Sequence, residues 1–387
     1  MALPPEFTLL QVVPELETGG AEQTTIDIAK AVIEAGGRAF VATRGGRMTA
    51  RLIADGGRLA QMPVHTKNPL TILGNAARLV DLIRREKVSL VHARSRVPAY
   101  SALWAAHATG TPFVTTYHGI YKAKTPLKRW FNAVMTRGDL VIANSDFTRG
   151  HILAEHGIDP AKVVTIPRGV DLERFNPAWV LPDRVAALRQ AWGLSGDPNI
   201  TTFLLGGRLT RIKGHLTIIE AAKQLVDKGR RDFQVIFAGD DQGRTEYRQE
   251  LVDAIAAAGL NEIVRIVGHC SDMPAAYLLA DVAILPTLVP ESFGRAAVEP
   301  QAMGRTVIAA NHGGMVETVV DGVTGWLVEP GDADAWAQAM SNAIGIGPGK
   351  RNDMGQVGMT RARQLYRVEA MSAATLEVYD RVLEAHR

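Results

Sequence analysis

Two carboxylates lie eight residues apart in the segment Glu291–Glu299, which reads ESFGRAAVE. The segment follows an apolar run and leads into a helical pattern, so we expect Glu291 in a loop and Glu299 about two turns into a helix. At the helical rise per residue the two carboxylates would be roughly 10 Å apart, which fits a sugar and a nucleoside joined by a diphosphate. The phosphates would bind the backbone N–H groups of residues 293–295. The simpler interpretation is a capping acid followed by a salt-bridged helix acid.

A pair of cations follows an earlier apolar run. Gly206 and Gly207 precede Arg208, and Lys213 comes five residues later, directly before Gly214. Arginine offers forked hydrogen bonds and lysine a compact charge, so the two together would form a pocket for a diphosphate. The alternative is a pair of solvated surface cations.

The N-terminal region contains another candidate anion site. Gly19 and Gly20 follow the first predicted strand and begin a helix, where glycines let backbone N–H groups approach a negative charge. The alternative is a tight turn without a ligand. The turn is not GxGxxG, and no acid suited to a ribose ends the second strand near Thr43, which disfavours a dinucleotide site.

His118 ends another apolar run and precedes Gly119. This position is at the carboxyl end of a predicted strand, where a ligand would bind, although a purely structural histidine is the alternative. The stretch that follows mixes cations with aromatic residues. It suits a membrane surface or an anionic acceptor, and otherwise it is a solvated helix start. Its cations are Lys122, Lys124, Lys128 and Arg129.

The sequence gives little support to metal or thiol chemistry. Asp240 and Asp241 are adjacent acids in a Gly-flanked segment that we expect to be a loop, and no His or carboxylate cluster has metal-ligand spacing. The single cysteine, Cys270, excludes an internal disulfide and a zinc site built on several thiolates. We therefore expect neither a metal nor a bound cofactor.

Charge is distributed unevenly along the 387 residues, whose net charge is +3. Residues 1–177 contain 22 Lys and Arg against 15 Asp and Glu, and the remainder contains 21 against 25. A basic first half indicates an anionic partner, but no nucleic-acid-binding module is recognisable, so we expect no nucleic acid partner.

Two sequence features bear on location. Residues 1–17 contain no Lys or Arg, so the basic start of a signal peptide is missing. No run of about 18 apolar residues occurs, as a membrane-spanning helix would need. We expect a cytoplasmic protein, at most attached to the inner face of the cytoplasmic membrane.

Short apolar runs alternate with amphipathic stretches in two series, which predicts two Rossmann-like domains with doubly wound parallel sheets. We expect the first domain at 1–177, a proline-containing connection at 178–197, the second domain at 198–362 and a final helix at 363–387. A ligand would bind at the carboxyl ends of the strands, in a central cleft that both domains face. The predicted strands are Phe7–Val13, Ala39–Ala42, Leu90–His92, Phe113–Tyr117, Leu140–Ala143, Val163–Ile166, Thr202–Gly206, Phe233–Ala238, Val264–Val267 and Val282–Leu285.

From Leu9 to about Tyr379, the order and spacing of the motifs resemble the GT-B glycosyltransferases of family 4. The resemblance implies two Rossmann-like domains around a cleft, with a C-terminal helix that crosses back to the first domain. The motifs that carry it are Gly19-Gly20-Ala21-Glu22, Thr116-Tyr117-His118-Gly119, Asn144-Ser145-Asp146-Phe147-Thr148, Ile166-Pro167-Arg168-Gly169-Val170-Asp171, Gly207-Arg208 with Lys213-Gly214, Glu291 with Glu299, His312-Gly313-Gly314 with Glu317, and Asp321-Gly322 with Gly325.

The resemblance implies sugar transfer from a nucleotide-diphosphate sugar with retained anomeric configuration. In the second domain, Arg208 and Lys213 would hold the diphosphate and stabilise the leaving nucleotide, which replaces a metal in this role. Glu299 would bind the ribose hydroxyls. Glu291 would hold the donor sugar, together with backbone N–H groups near Phe293 and Gly294.

The resemblance also implies roles for the first domain. His118 would lie beside the donor sugar, and the glycines at 19 and 20 would approach the phosphates or the acceptor when the domains close and exclude water. No carboxylate is an obvious nucleophile, so a donor phosphate oxygen would take the proton of the acceptor hydroxyl.

Two residues depart from the family pattern beside the sugar pocket. Ser292 stands where glycine is commoner, and Arg295 stands where an aliphatic residue usually follows Phe-Gly, and both bear on the choice of donor. The segments 92–96 and 117–121 also resemble bacterial lipopolysaccharide-core sugar transferases, including mannosyltransferases. This similarity implies a glycan or glycolipid acceptor in lipopolysaccharide or other cell-envelope glycan synthesis, and mannose from GDP-mannose as the transferred sugar.

Several alternatives stay open on the sequence. The acceptor is a small soluble molecule in one alternative, and the chain is a GT-B nucleotide-sugar epimerase in another. From a different class, a dinucleotide-dependent oxidoreductase or a catalytically silent nucleotide-binding module would share much of the pattern.

Overall fold

The computed structural model describes residues 4, 6–17, 19–121 and 123–387. The chain divides into two compact units. The first unit comprises the residues up to Gly169 together with Val368–Arg387, and the second unit comprises Val170–Arg367.

In the part of the chain that the structure describes, the first unit is built on a seven-stranded parallel sheet with the order β3-β2-β1-β4-β5-β6-β7. The strands are β1 (Thr8–Val12), β2 (Arg38–Thr43), β3 (Arg58–Gln61), β4 (Leu90–Ala93), β5 (Phe113–Tyr117), β6 (Leu140–Ala143) and β7 (Val163–Thr165). The helices between them are α1 (Gly20–Glu34), α2 (Thr49–Ala54), α3 (Pro69–Glu86), α4 (Arg96–Thr109), α5 (Pro126–Asn132) and α6 (Asp146–His156). Short 3-10 turns occupy Ala133–Thr136 and Pro160–Lys162.

The central strands of this sheet are buried on both faces, as near-continuous apolar runs in a parallel sheet require. Their neighbouring helices begin and end at residues suited to the termini. Asn68 caps α3 by accepting from the N–H of Leu70, and α4 and α6 end at Gly110 and Gly157 in the left-handed conformation. The predicted alternation of strands and helices is confirmed, and buried apolar strands and helix-capping residues account for it.

The second unit has a six-stranded parallel sheet with the order β10-β9-β8-β11-β12-β13 among the described residues. Its strands are β8 (Thr201–Gly206), β9 (Phe233–Ala238), β10 (Val264–Gly268), β11 (Val282–Leu285), β12 (Thr306–Ala310) and β13 (Gly325–Val328). Its helices are α7 (Pro182–Ala191), α8 (His215–Asp227), α9 (Thr245–Ala257), α10 (Met273–Leu279), α11 (Arg295–Ala302), α12 (Met315–Thr318), α13 (Ala333–Gly345) and α14 (Gly347–Leu365), with 3-10 turns at Pro177–Trp179 and Arg211–Lys213. Both units are therefore Rossmann-like, as predicted.

The last helix, α15 (Val368–Glu384), belongs to the first unit. Its apolar face, with Met371 and Tyr379, packs into the same core as Ile26 and Ile28 of α1. The C-terminal helix thus returns to the first domain, as expected.

The predicted domain limits differ from those of the structure. The first unit ends at Gly169 instead of 177, because Val170 bonds to the carbonyl of Tyr366 and packs with Phe175 in the core of the second unit. The expected connection at 178–197 is likewise part of the second unit, since Val180 and Leu194 are buried in that core. The final helix does not run unbroken from 363, because α14 ends at Leu365 and α15 begins after a two-residue break.

No helix in the described ranges is both long and apolar enough to span a bilayer.

Candidate active site

The candidate donor site lies where two neighbouring strands of the second unit end. β8 and β11 pair in parallel, with Phe203 opposite Val282 and Leu204 opposite Ala283. Because parallel strands end at the same edge, the loop after β8 and the loop after β11 leave the sheet side by side. The first loop contains Arg208 and the second contains Glu291, so the sheet positions both candidate segments at one edge.

Lys213 and Glu291 are 78 residues apart and form an ion pair, with 2.6 Å between Lys213 Nζ and Glu291 Oε1. Two hydrogen bonds hold the loops together: Ile212 O accepts from Leu288 N at 2.8 Å and from Thr287 Oγ1 at 3.1 Å. The side chains of the pair are 20% and 25% exposed, so an arriving phosphate can reach Lys213. The structure brings these two predicted residues together.

Gly214 explains the approach of the two loops. Its φ is +73°, and a Cβ at this position would overlap the carbonyl oxygen of Pro286. Glycine is therefore needed both for the left-handed backbone and for the close packing. Any larger residue would push the Arg211–Lys213 turn, and Lys213 with it, away from the loop after β11.

Arg208 lies in an exposed loop directly after β8. Its neighbours fix the backbone, since Leu209 N donates to Asp240 O at 3.0 Å, and a Cβ on Gly239 would overlap Gly207 O. Among the described residues the Arg208 side chain makes no hydrogen bond or ion pair. The guanidinium thus keeps its donors available for an anion.

The loop from Glu291 to Gly294 is held by the segment after β12. Gly314 N donates to Glu291 O at 2.7 Å, and a Cβ on Gly314 would overlap the backbone of Phe293. Phe293 is buried, with its ring 5.4 Å from that of Tyr366 in a T-shaped contact. Gly294 has a φ of +81° and precedes α11, where Ala297 N donates to Gly294 O at 2.9 Å and the N–H groups of the first two helical residues point out of the helix end.

Glu299 lies closer to the start of its helix than predicted. α11 begins at Arg295, so Glu299 is its fifth residue, little more than one turn in instead of two. Arg295 Nε donates to Glu299 Oε1 at 2.8 Å, and Tyr277 OH donates to Glu299 Oε2 at 3.4 Å. The salt-bridged helix acid of the simpler interpretation is therefore present. Burial, and then the Glu299 carboxylate, raise the pKa of Tyr277, which keeps this hydroxyl a donor.

In the first unit, His118 follows β5 and contacts an arginine that the sequence analysis did not assign to the site. Arg168 Nη2 donates to His118 Nδ1 at 2.9 Å and to His118 O at 3.2 Å. Because a guanidinium only donates, Nδ1 is the accepting nitrogen and the ring proton belongs on Nε2. Burial, and then Arg168, hold the pKa of His118 well below its usual range, so the ring is neutral at pH 7.

The two predicted glycines start α1 beside this pair. Gly20 is the first residue of α1, and a Cβ on it would overlap Arg168 Nη1. Gly19 precedes the helix in an extended conformation, and a Cβ there would overlap the Glu22 carboxylate. Glycine therefore lets the guanidinium lie against the helix N-terminus. The motif of residues 166–171 contained the signal for Arg168, but its partner could not be read from the sequence.

A buried polar network lies in the same unit as His118. His92 Nδ1 is 2.6 Å from Tyr379 OH of α15, and His92 Nε2 is 2.7 Å from Thr116 Oγ1. Arg94 Nε donates to Gln11 Oε1 at 2.6 Å. Burial, and then Arg94, lower the pKa of His92 well below its usual range. The returning helix thus supplies a hydrogen-bond partner within the polar core of the first unit.

The basic stretch after β5 forms an exposed segment. Residues 124–130 are all exposed, including Leu127 at 74% and Trp130 at 56%. Thr125 caps α5 by accepting from Lys128 N, and Arg129 pairs with Glu155 at 3.0 Å. Lys122, which the sequence analysis grouped with Lys124, lies outside the described residues.

Among the residues that the structure describes, no group of three or more His, Cys, Asp or Glu side chains could hold a metal ion. Asp240 and Asp241 accept from the backbone N–H groups of Gln242 and Gly243, respectively, which is the hydrogen bonding of a tight turn.

Comparisons with known proteins agree with this architecture. The family model of Glycosyltransferase Family 4 matches residues 18–174, and that of glycosyl transferases group 1 matches residues 185–360. The D-inositol 3-phosphate glycosyltransferase of Actinosynnema mirum is 31% identical over 294 residues, which is 71% of this chain and 68% of the relative.

Solved structures match almost the whole chain. A glycosyltransferase from Rickettsia africae is 33% identical, with a TM-score of 0.90 over 98% of this chain and 99% of that one. Anabaena HepE, solved in complex with UDP-glucose, is 25% identical, with a TM-score of 0.83 over 97% of this chain and 100% of that one. WaaG, a glycosyltransferase of lipopolysaccharide biosynthesis, shares the fold at 16% identity, with a TM-score of 0.72 over 96% of this chain and 99% of that one.

Two Rossmann-like units with this motif order define a GT-B glycosyltransferase that takes its sugar from a nucleotide sugar. The chain belongs to glycosyltransferase family 4, as its motifs led us to expect. The oxidoreductase, epimerase and silent-module alternatives are therefore wrong.

Proposed function

We propose that this enzyme transfers a hexose, with retention of anomeric configuration, to a glycan or glycolipid acceptor of the cell envelope such as a lipopolysaccharide core, with GDP-mannose as donor. The observation that carries the binding of a nucleotide-diphosphate sugar is the 2.6 Å Lys213–Glu291 pair, whereas the choice of GDP-mannose rests on the similarity of residues 92–96 and 117–121 to lipopolysaccharide-core transferases. The pair lies at the sheet edge where the loop of Arg208 also begins. A cation for the diphosphate and a carboxylate for the sugar hydroxyls are thus held side by side before the donor arrives.

Donor binding would exchange the partners of this pair. Lys213 would turn to the diphosphate with Arg208, and Glu291 would accept from a sugar hydroxyl. The N–H groups at the start of α11 would bind the phosphates, and Glu299 would accept from the ribose hydroxyls.

The chemical step would break the bond between the sugar C1 and the diphosphate oxygen, and the electron pair would leave with the nucleotide. The acceptor hydroxyl would form the new bond on the same face of the sugar and pass its proton to a donor phosphate oxygen. The two cations would stabilise the charge that develops on the leaving group.

An acceptor with an anionic group fits the first unit. The Arg168 guanidinium lies against Gly20, at the positive end of the α1 dipole, so a side-chain charge and a helix N-terminus both favour an anion at this place. His118 is neutral and adds no charge of its own. A phosphate on the acceptor would hydrogen-bond to the guanidinium and to backbone N–H groups at the start of α1. Lipopolysaccharide cores and inositol phosphates both carry such groups.

A soluble acceptor is the second candidate, because the curated relatives are named for D-inositol 3-phosphate. We would supply GDP-mannose, UDP-glucose or UDP-N-acetylglucosamine with either lipid A–Kdo or D-inositol 3-phosphate and analyse the products by mass spectrometry. Mannose on lipid A–Kdo is the expected product. Transfer only to D-inositol 3-phosphate would show that the acceptor is a soluble molecule and not a cell-envelope glycan. Activity with the UDP sugars alone would overturn GDP-mannose as the donor.

We propose further that α5 contacts an anionic membrane surface. The span 119–138 contains five Lys and Arg and no acid. Leu127 and Trp130 are three residues apart on one helix face and are exposed, which suits insertion at the headgroup level. Lys124 precedes them and Lys128 lies between them in the chain, and these exposed cations would attract anionic lipids.

Sedimentation with vesicles tests this membrane contact. Replacing Lys122, Lys124, Lys128 and Arg129 with serine should weaken binding to phosphatidylglycerol vesicles in low salt, while phosphatidylcholine vesicles bind neither protein. Replacing the exposed Lys30, Arg84, Arg85 and Lys350 of other helices is the matched control, because it removes the same number of charges, and it should leave binding unchanged. Equal sedimentation of both variants would refute the role of α5.

A further inference from the structure

Arg295 links the N-terminus of α11, the candidate phosphate site, to Glu299, the candidate ribose site. Its ion pair with Glu299 is a contact to which the family resemblance assigns no role. Arg295 is the first residue of the helix, and its Nε donates to Glu299 Oε1 at 2.8 Å. The side chains of Arg295 and Glu299 are 27% and 16% exposed, so the pair is shielded from bulk water yet reachable by a ligand. An aliphatic residue at position 295 could make no such bond.

Glu299 is held from both sides. Arg295 donates to Oε1, and the buried Tyr277 donates from α10 to Oε2. The hydroxyl of Tyr277 is 3.7 Å from where a Cβ on Gly206 would be, which places this cluster at the carboxyl end of β8. Each carboxylate oxygen can accept two hydrogen bonds, so one further position on each oxygen remains for a ligand hydroxyl.

The charge of Arg295 also matters for a nucleoside diphosphate. A lone carboxylate on α11 would repel the phosphates that the proposed function assigns to the N-terminus of the same helix. A guanidinium paired with that carboxylate cancels its charge locally while leaving its acceptor positions open. The same residue therefore fixes the carboxylate in one orientation and removes its repulsion.

We propose that Arg295 is a positioning residue that holds Glu299 for the two ribose hydroxyls of the donor nucleotide, and so sets the preference of this enzyme for ribonucleotides over deoxyribonucleotides. The inference rests on the proposed role of Glu299. It predicts that Arg295 contributes to nucleotide affinity only when the ribose hydroxyls are present.

The test is a cycle between protein variants and nucleotide analogues. Dissociation constants are measured by calorimetry for GDP and UDP and for their 2′,3′-dideoxy analogues, with the parent enzyme and with Arg295→Gln, Arg295→Lys and Glu299→Gln. Whichever of GDP and UDP the parent enzyme binds more tightly should have a dissociation constant at least about tenfold lower than that of its dideoxy analogue. Arg295→Gln should remove most of that ratio by weakening only the ribonucleotide, and Arg295→Lys, which retains an i,i+4 partner for Glu299, should restore part of it.

Kinetics and a control variant separate positioning from a general structural effect. Arg295→Gln should raise KM for the donor while kcat stays close to that of the parent. Lys223→Gln is the matched control, because it also removes the cation of an i,i+4 ion pair in the same unit, with Asp227 on α8. Lys223→Gln should change neither the ratio of the dissociation constants of ribonucleotide and dideoxy analogue nor the KM for the donor.

The outcomes separate the positioning role of Arg295 from the ribose-binding role of Glu299. Equal weakening of GDP and dideoxy-GDP by Arg295→Gln, or no weakening, would overturn the positioning role while leaving Glu299 in place. If Glu299→Gln keeps the full ribonucleotide preference, the ribose assignment of Glu299 in the proposed function is wrong, and the inference is wrong with it.

Discussion

Replacing Lys213 with methionine removes a charge and keeps most of the side-chain volume. Lys213 Nζ is 2.6 Å from Glu291 Oε1, but the pair is partly solvated, so we expect its loss to lower the free energy of unfolding by only about 1 kcal/mol. Catalysis should suffer more. If Lys213 stabilises charge on the leaving diphosphate, removing it should reduce kcat by roughly 100- to 1000-fold, which is about 3–4 kcal/mol of transition-state stabilisation.

The two effects are measured on the same protein preparations. Steady-state transfer kinetics give kcat, and urea denaturation gives the free energy of unfolding. Lys223→Met serves as the control, since it removes a surface cation of the same unit and should leave kcat unchanged. A kcat for Lys213→Met within about fivefold of the parent, with stable protein, would refute the role of Lys213 at the diphosphate.

Three further predictions concern the first unit and the buried histidines. Gly20→Ala should displace Arg168 and lower kcat/KM for the acceptor by about tenfold, with little change in Tm; an unchanged kcat/KM contradicts this. Tyr379→Phe leaves His92 Nδ1 without its 2.6 Å partner and should cost about 1–3 kcal/mol in urea unfolding; an unshifted midpoint is the opposing result. Burial holds the pKa of His92 well below its usual range and that of His215 at about 4, so the unfolded state takes up protons first. The free energy of unfolding should therefore fall as pH decreases below about 6.5, by up to about 1.4 kcal/mol per pH unit for each histidine, and a flat profile down to pH 5 would contradict it.

The sequence predicts local structure well where the signal is local. Ten of the strands follow from apolar runs flanked by turn residues, and Phe113–Tyr117, Leu140–Ala143, Phe233–Ala238 and Val282–Leu285 are predicted to the residue. The edge strand β3 is missed because it consists of two half-buried residues between an exposed arginine and an exposed glutamine. The strands β12 and β13 are also missed, although β12 is a buried apolar run that the same rule would have found.

The contacts that build the candidate site are mostly non-local, and spacing alone could not supply them. Arg168 meets His118 across 50 residues, and Lys213 meets Glu291 across 78. Both contacts depend on which strands become neighbours in the sheet. The pair of Arg295 with Glu299 is different, because its four-residue spacing on a helix allowed a salt bridge to be foreseen.

The domain boundary also depends on contacts between residues far apart in the chain. Proline clustering suggested a connection after 177, but the change of unit occurs at Gly169 because the apolar residues that follow, Val170 and Phe175, join a core that includes Tyr366. Only the packing of residues nearly 200 positions apart decides where the second unit begins.

The central claim is retaining transfer of a sugar from a nucleotide donor held by Arg208 and Lys213. The most direct test is proton NMR of the freshly formed product from the α-linked donor GDP-mannose, with the parent enzyme and with Arg208→Ala. The account predicts an α-linked product from the parent and a loss of transfer in the variant. A β-linked product, or undiminished transfer by Arg208→Ala, would contradict it.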